Sequence, residues 1–127
     1  MCGIAGRYQQ ADGQKLVDVM SARIAHRGPD AAGVWSYEND RVSVQFGHRR
    51  LSIIDLSAAA DQPFSKQGMT LIYNGELYNY RALRTELTGR GVRFTTNSDT
   101  EVVLESWRTW GPDCLRRFRG MFAPAAR

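Results

Sequence analysis

The chain has 127 residues, 43% hydrophobic and 24% charged, with a formal net charge of +4. That is enough for one domain with a real core. No apolar run nears the roughly 20 residues of a membrane span, and no secretory signal opens the chain. The 17 basic residues, all arginine but Lys15 and Lys66, form only short clusters, and Cys2 and Cys114 make neither a disulfide framework nor a metal set, so the composition predicts a reduced, cytoplasmic protein without nucleic-acid or membrane partners.

The sequence opens Met1-Cys2-Gly3-Ile4-Ala5-Gly6. Methionine is normally removed before a residue as small as cysteine. The new terminus would carry a thiol and an α-amine of pKa about 7.7–8.0, near the value suited to a general base at neutral pH. Cys2 is therefore a candidate nucleophile with its own base. Taken alone, it reads first as a chance cysteine at a frayed end.

Residues 3–8 read as a short buried strand, and residues 14–25 as a helix with Val17, Met20 and Ile24 on one face. Residues 26–30 form a turn, residues 34–37 a strand, and residues 38–40 a second turn. Val42, Val44 and Phe46 then alternate with Ser43, Gln45 and Gly47, the pattern of a half-buried strand, which predicts a hairpin. His48 falls on the inward parity. Residues 51–56 are a further apolar run, and residues 57–66 a loop. Residues 69–73 read as a strand ending in Asn74-Gly75, a dipeptide suited to positive φ.

Asn79 is placed to cap a helix over residues 80–87, which Gly89 and Gly91 stop. Residues 92–95 read as a short strand. Ser98-Asp99-Thr100-Glu101 has the form of a capping box and opens a helix with Val103, Trp107 and Trp110 on one stripe, ended by Gly111-Pro112. Residues 113–118 form a short helix carrying Leu115 and Phe118, and residues 120–123 begin a strand. Helices mixed with hairpin-linked strands predict an α+β fold.

Several positions carry possible chemistry. Arg50, at a strand end, offers a planar fork for a carboxylate. Asn74 and the Gly75 N–H have the form of an oxyanion hole. Asp99, at a helix start, can receive an ammonium group. Each has a plain alternative: a surface arginine, an ordinary turn, a helix-end carboxylate. Together they would recognise a free amino acid and attack a carbonyl on it, as an amidohydrolase acting on glutamine requires.

The ordered blocks MCGI, RGPD at residues 27–30, RRLSIIDL at 49–56, YNGELYNY at 73–80, SDTE at 98–101 and GMFA at 120–123 cover nearly the whole chain. In them the chain resembles the N-terminal glutaminase domain of glutamine-hydrolysing asparagine synthetases. These are class II glutamine amidotransferases and N-terminal-nucleophile hydrolases. Two other branches of that class carry a histidine where this chain has Tyr73.

The resemblance implies an αββα four-layer sandwich that hydrolyses L-glutamine. Cys2 would be the nucleophile and its amine the base, with Asn74 and Gly75 forming the oxyanion hole. Arg50 would hold the α-carboxylate, Asp99 and Glu76 the α-ammonium, and Leu51, Ser52, Ile53 and Ile54 would line the pocket. No cofactor or metal belongs to this chain. ATP and magnesium belong to a synthetase domain, absent here, that receives the ammonia. After GMFA the resembled domains continue with further strands, whereas here Pro124 intervenes, so residues 1–127 are expected to be a partial domain interrupted at Pro124. The alternatives are a glutamine-binding or synthetase-docking module without turnover, or the glutaminase part of another amide-forming synthetase.

Overall fold

Two three-stranded antiparallel sheets lie face to face in the computed structural model of the chain, which describes residues 2–9 and 16–127. The elements are β1 (Gly3–Gln9), α1 (Leu16–Arg23), β2 (Ala31–Glu38), β3 (Ser43–Arg50), β4 (Phe64–Lys66), β5 (Met69–Leu77), α2 (Tyr80–Gly89), α3 (Asp99–Trp110) and β6 (Gly120–Ala126). Short 3-10 turns occupy Ala25–Arg27, Ala58–Ala60 and Gly111–Arg117. The first sheet has the order β1-β3-β2, and the second β4-β5-β6.

Period-two alternation builds the layers. On β3, Val44 and Phe46 face the second sheet and meet Ile72 of β5, with Ile4, Trp35 and Ala125 packed around them. The opposite parity faces α1, where Val17 and Ser21 lie over Gly47. On β5, Leu71, Tyr73 and Leu77 face the other way and join Leu83, Leu87, Val102, Val103 and Leu104 of α2 and α3. The result is helix, sheet, sheet, helix: the α+β fold that the residues predicted, in the αββα form that the resemblance implied.

Several local expectations are corrected. The buried face of α1 is Val17 and Ser21, while Met20 is exposed; the first two residues of the predicted helix lie outside the described residues. β3 is buried on both faces, because it is the centre of its sheet and α1 covers its polar side. The loop at residues 57–66 contains strand β4. No strand forms at residues 92–95; the Thr95 N–H goes to the Glu101 carboxylate instead of a ladder. Asn79 makes no side-chain cap; its amide binds the Arg117 carbonyl and the Arg119 N–H. Ser98 does cap α3 by accepting the Glu101 N–H, but the Glu101 side chain does not return to it. The helix expected at residues 113–118 is a 3-10 turn that buries Cys114 and leaves Leu115 exposed, with Phe118 buried just beyond it. Along α3, burial runs from Asp99 to Ser106 on all sides and Trp107 lies at the exposed margin, so no single stripe is buried.

Two corrections concern β5 and β6. Asn74-Gly75 is not a turn: β5 runs on to Leu77, pairing Asn74 with Ala123 and Gly75 with Phe122, and neither residue has positive φ. A Cβ on Gly75 would sit 2.2 Å from the Met121 carbonyl oxygen, so glycine is needed for close strand approach rather than for a turn. Pro124 does not interrupt β6. Thr70 and Arg127 exchange both backbone bonds, at 2.7 and 2.9 Å, and Tyr78 N–H donates to the Arg119 carbonyl at 2.8 Å. Antiparallel ladders alternate bonded and non-bonded pairs. Counting inward from both ends, Tyr73↔Pro124, Gly75↔Phe122 and Leu77↔Gly120 are all non-bonded pairs. The donor that proline lacks would have faced the outer edge of the sheet, where the ladder does not use it.

Gly47 tests the layering. A Cβ there would lie 2.1 Å from Ser21 Oγ and 2.7 Å from Val17 Cγ1. Gly47→Ala is predicted to destabilise the fold by about 1–3 kcal/mol through overpacking. Urea unfolding checks it, and an unchanged midpoint would mean that α1 is not seated on β3 in this way.

Candidate active site

Register brings the site together. β1 pairs antiparallel with β3, Gly3 opposite Arg49, so one step further Cys2 lies opposite Arg50. Both share the inward parity of Ile4, Phe46 and His48, and so does Asn74 on β5, two residues from Ile72. Three strands from two sheets thus aim a thiol, a guanidinium and an amide at one end of the sandwich. A cavity opens there, lined by Cys2, Arg50, Leu51, Ile53, Ile54, Gly75, Glu76 and Asp99 from the predicted set. Ser52 and Asn74 are not among its lining residues. The Ser52 N–H donates to Asp30 at 2.7 Å. The Asn74 amide oxygen is buried without a partner among the described residues.

The Cys2 sulfur is held by backbone. The Leu51 N–H donates to Sγ at 3.3 Å, and Sγ lies 3.6 Å from the Leu51 carbonyl oxygen. Arg27 Nε donates to the Cys2 carbonyl at 3.2 Å. The RGPD block therefore braces the site twice, through Arg27 on Cys2 and Asp30 on Ser52. Gly28 fits between: a Cβ there would lie 2.3 Å from the Arg49 carbonyl carbon.

The arginine is more committed than sequence suggests. Buried Arg50 donates through Nη1 to the Ser57 carbonyl at 3.0 Å and to Asp61, and through Nη2 to the carbonyls of Ile54 and Asp55. Its fork thus shapes the 54–57 loop over the cavity and carries one carboxylate already. Asp55, at φ 53°, locks the same loop: its carboxylate accepts from Ser57 and, at 2.7 Å, from the Asn97 N–H beside α3. The Ser57 hydroxyl and the Asn97 N–H hold the Asp55 carboxyl below its usual range.

Asp99 lies at the start of α3 against β5. Its Oδ2 accepts the Tyr73 hydroxyl at 3.2 Å and the Leu77 N–H at 3.0 Å. Burial pushes its carboxyl up, and these donors oppose the shift without cancelling it. Burial likewise raises the Tyr73 phenol, which stays a donor. The ladder alternation then assigns the Gly75 N–H a direction. The Tyr73, Gly75 and Leu77 N–H groups all point away from β6; Tyr73 donates to Gln62 and Leu77 to Asp99, and Gly75 between them faces the cavity.

The start of α3 is anchored by Glu101, which has no exposed surface. Its carboxylate accepts the N–H and hydroxyl groups of Thr95 and Thr96 and an ion pair from Lys66 at 2.7 Å, and Lys66 also reaches Glu105. Burial alone would raise its pKa, but Lys66 and the threonine donors outweigh burial and leave it lowered.

Sequence reasoning missed Ala60, Gln62, Tyr73, Ser98, Thr100 and Met121 as lining residues. Ser98 and Thr100 flank a predicted residue within the capping box, so proximity could have flagged them. Gln62 had no signal beyond a polar residue before Pro63 in a loop.

Facing sheets between helices place a cysteine-headed cavity at one end of the sandwich. The chain belongs to the glutamine amidotransferase domain family, which it matches over residues 1–126. It is 44% identical over 131 residues to Asparagine synthetase [glutamine-hydrolyzing] 1 of Bacillus subtilis, covering 97% of this chain and 20% of that protein. It is 39% identical over 129 residues to Asparagine synthetase B [glutamine-hydrolyzing] of Escherichia coli, covering 97% and 22%. Amidase chry2 of Gibberella zeae is 43% identical over 102 residues, covering 79% and 15%. The chain spans about a fifth of the length of the curated relatives it matches. Among solved structures, the glutamine phosphoribosylpyrophosphate amidotransferase of B. subtilis superposes with a TM-score of 0.81 at 19% identity, over 98% of this chain and 34% of that one, so the fold is shared.

His48 gives the site region a pH signature. It has no exposed surface, its Nε2–H donates to the Tyr73 carbonyl at 3.3 Å, and its Nδ1 has no partner among the described residues. Burial lowers its pKa from 6.5 to about 4, and the nearby Arg50 adds to this. Between those values the unfolded chain takes up a proton that the folded chain refuses. Stability should therefore fall as pH drops through the window, by about 3 kcal/mol at about 1.4 kcal/mol per pH unit. Urea midpoints measured from pH 7 to pH 4 check this, and His48→Gln should flatten the slope. An equally steep slope in that variant would assign the effect to other groups.

Proposed function

We propose that this domain hydrolyses L-glutamine to glutamate and ammonia. The observation that carries the reading is the convergence of Cys2, Arg50, the Gly75 N–H and Asp99 on one cavity. Once Met1 is removed, the α-amine of Cys2 takes the thiol proton and the sulfur attacks the side-chain amide carbon. The developing oxyanion lies between the Gly75 N–H and the Nδ2–H of the Asn74 side-chain amide. The amine returns the proton to the leaving ammonia, and water then cleaves the thioester to glutamate.

Asp99, with Glu76 at the cavity rim, holds the α-ammonium. Arg50 faces the α-carboxylate, which shares or exchanges places with the half-exposed Asp61, while Leu51, Ile53 and Ile54 form the overlying wall. The chemistry runs on the chain's own thiol and amine. ATP and magnesium belong with a synthetase domain that uses the ammonia, and the two asparagine synthetase matches support asparagine synthesis as its use. The Amidase chry2 match supports a second reading for the acceptor alone: the ammonia feeds another amide-forming partner. Two free cysteines, and no helix among the described residues long and apolar enough to cross a membrane, are in keeping with a cytoplasmic setting.

Glutamate release from glutamine, assayed on protein whose terminus is verified by mass spectrometry, tests the reading. Activity is expected only in chains that begin at Cys2, and Cys2→Ala should abolish it. Full activity with Met1 retained would remove the amine from the mechanism.

Asn74→Ala should lower kcat about 100- to 1000-fold with little change in KM, the usual effect of losing one oxyanion donor. Steady-state kinetics decide this, and a change confined to KM would make Asn74 a ground-state binding group.

A further inference from the structure

β5 loses its neighbour just before the site. β4 pairs with Met69, Thr70 and Leu71, and carrying that register two residues further would set Gln62 opposite Tyr73. No backbone ladder forms there, yet both backbone groups of Tyr73 are satisfied, each by a side chain. The N–H donates to Gln62 Oε1 at 2.6 Å, and the carbonyl accepts from His48 Nε2 at 3.3 Å. The other end of the Gln62 amide donates to Thr100 Oγ1 at 3.2 Å, one residue past Asp99. Gln62 is 8% exposed, and these bonds are buried.

We propose that Gln62 is a positioning residue of the active site. Its side chain replaces the missing strand at Tyr73, aims the Gly75 N–H two residues on, and ties that strand to the first turn of α3 that carries Asp99. The proposal rests on the glutaminase reading and adds to it a residue that works through the oxyanion strand. Gln62→Met keeps length and bulk and removes both bonds. Gln62→Glu keeps an acceptor for the Tyr73 N–H and lets the Thr100 hydroxyl donate in its turn.

The test pairs kinetics with amide hydrogen exchange of the Met1-free chain. In Gln62→Met the Tyr73 amide should exchange at least about tenfold faster, as expected when a buried bond is lost, while the Leu77 amide, held by Asp99, keeps its rate. kcat for glutamine should fall about tenfold with KM within about threefold, and Gln62→Glu should restore both readouts to within about threefold. Unchanged Tyr73 exchange or unchanged kcat in Gln62→Met overturns the proposal. So does a variant in which Tyr73 and Leu77 speed up together, since that is global loosening. If the unsubstituted chain does not hydrolyse glutamine, the glutaminase reading fails, and the Tyr73 exchange rate alone decides whether Gln62 straps the strand.

Discussion

The alternation of hydrogen bonds along β5 governs the site. A strand residue cannot direct its N–H to both neighbours, so pairing with β6 at every second position sends the N–H groups of Tyr73, Gly75 and Leu77 the other way. Beyond Leu71 no strand among the described residues receives them. Buried donors must find acceptors, and here side chains supply them on either side of Gly75. The middle position has glycine, whose lack of a side chain lets β6 approach closely. A shift of one residue in register would turn the opposite set of donors toward the cavity and bury the wrong side chains.

The two walls of the cavity are held by different physics. Behind the sheet wall lies an apolar cluster, with Ile4, Phe46 and Ile72 filling the space between the sheets on the strands that carry Cys2, Arg50 and Asn74. Behind the opposite wall, next in sequence to its lining residues Ile54, Ser98 and Thr100, runs a web of charge-assisted bonds: Lys66 to Glu101, Glu101 to Thr95 and Thr96, Asn97 to Asp55, and Asp55 to Ser57. Such bonds are stronger and more directional than neutral ones. Removing one partner from the fully buried Glu101 would leave an uncompensated charge, so this wall tolerates little change.

Much of this was legible in the sequence. The alternation at Val44 and Phe46 runs on through His48 to Arg50, and the ordered motif blocks pointed to Cys2, Asn74 and Asp99. What failed did so where distant contacts outvote local preference. Asn74-Gly75 favours a turn by itself, but β6, more than forty residues on, recruits it into a strand. Residues 92–95 favour a strand, but the Val92 N–H goes to the Leu87 carbonyl and the Thr95 N–H to the Glu101 carboxylate. Gln62 looks like loop because its role depends on β5 and α3 being present together. Pro124 looked like a stop because sequence cannot say which edge of a strand a missing donor faces.

That outward-facing gap has a further consequence. β6 lies at the margin of its sheet, and its outer edge presents N–H groups at residues 120, 122 and 126 but none at 124. Any additional strand laid there, from this polypeptide or from another, meets a carbonyl acceptor with no donor near the middle of the new seam. Its best registers place a bulge or a water at that point. Edges interrupted by proline are poor templates for edge-to-edge strand pairing between molecules. The same residue therefore leaves the inner pairing with β5 intact while making the open side of the sheet a less inviting place for accretion.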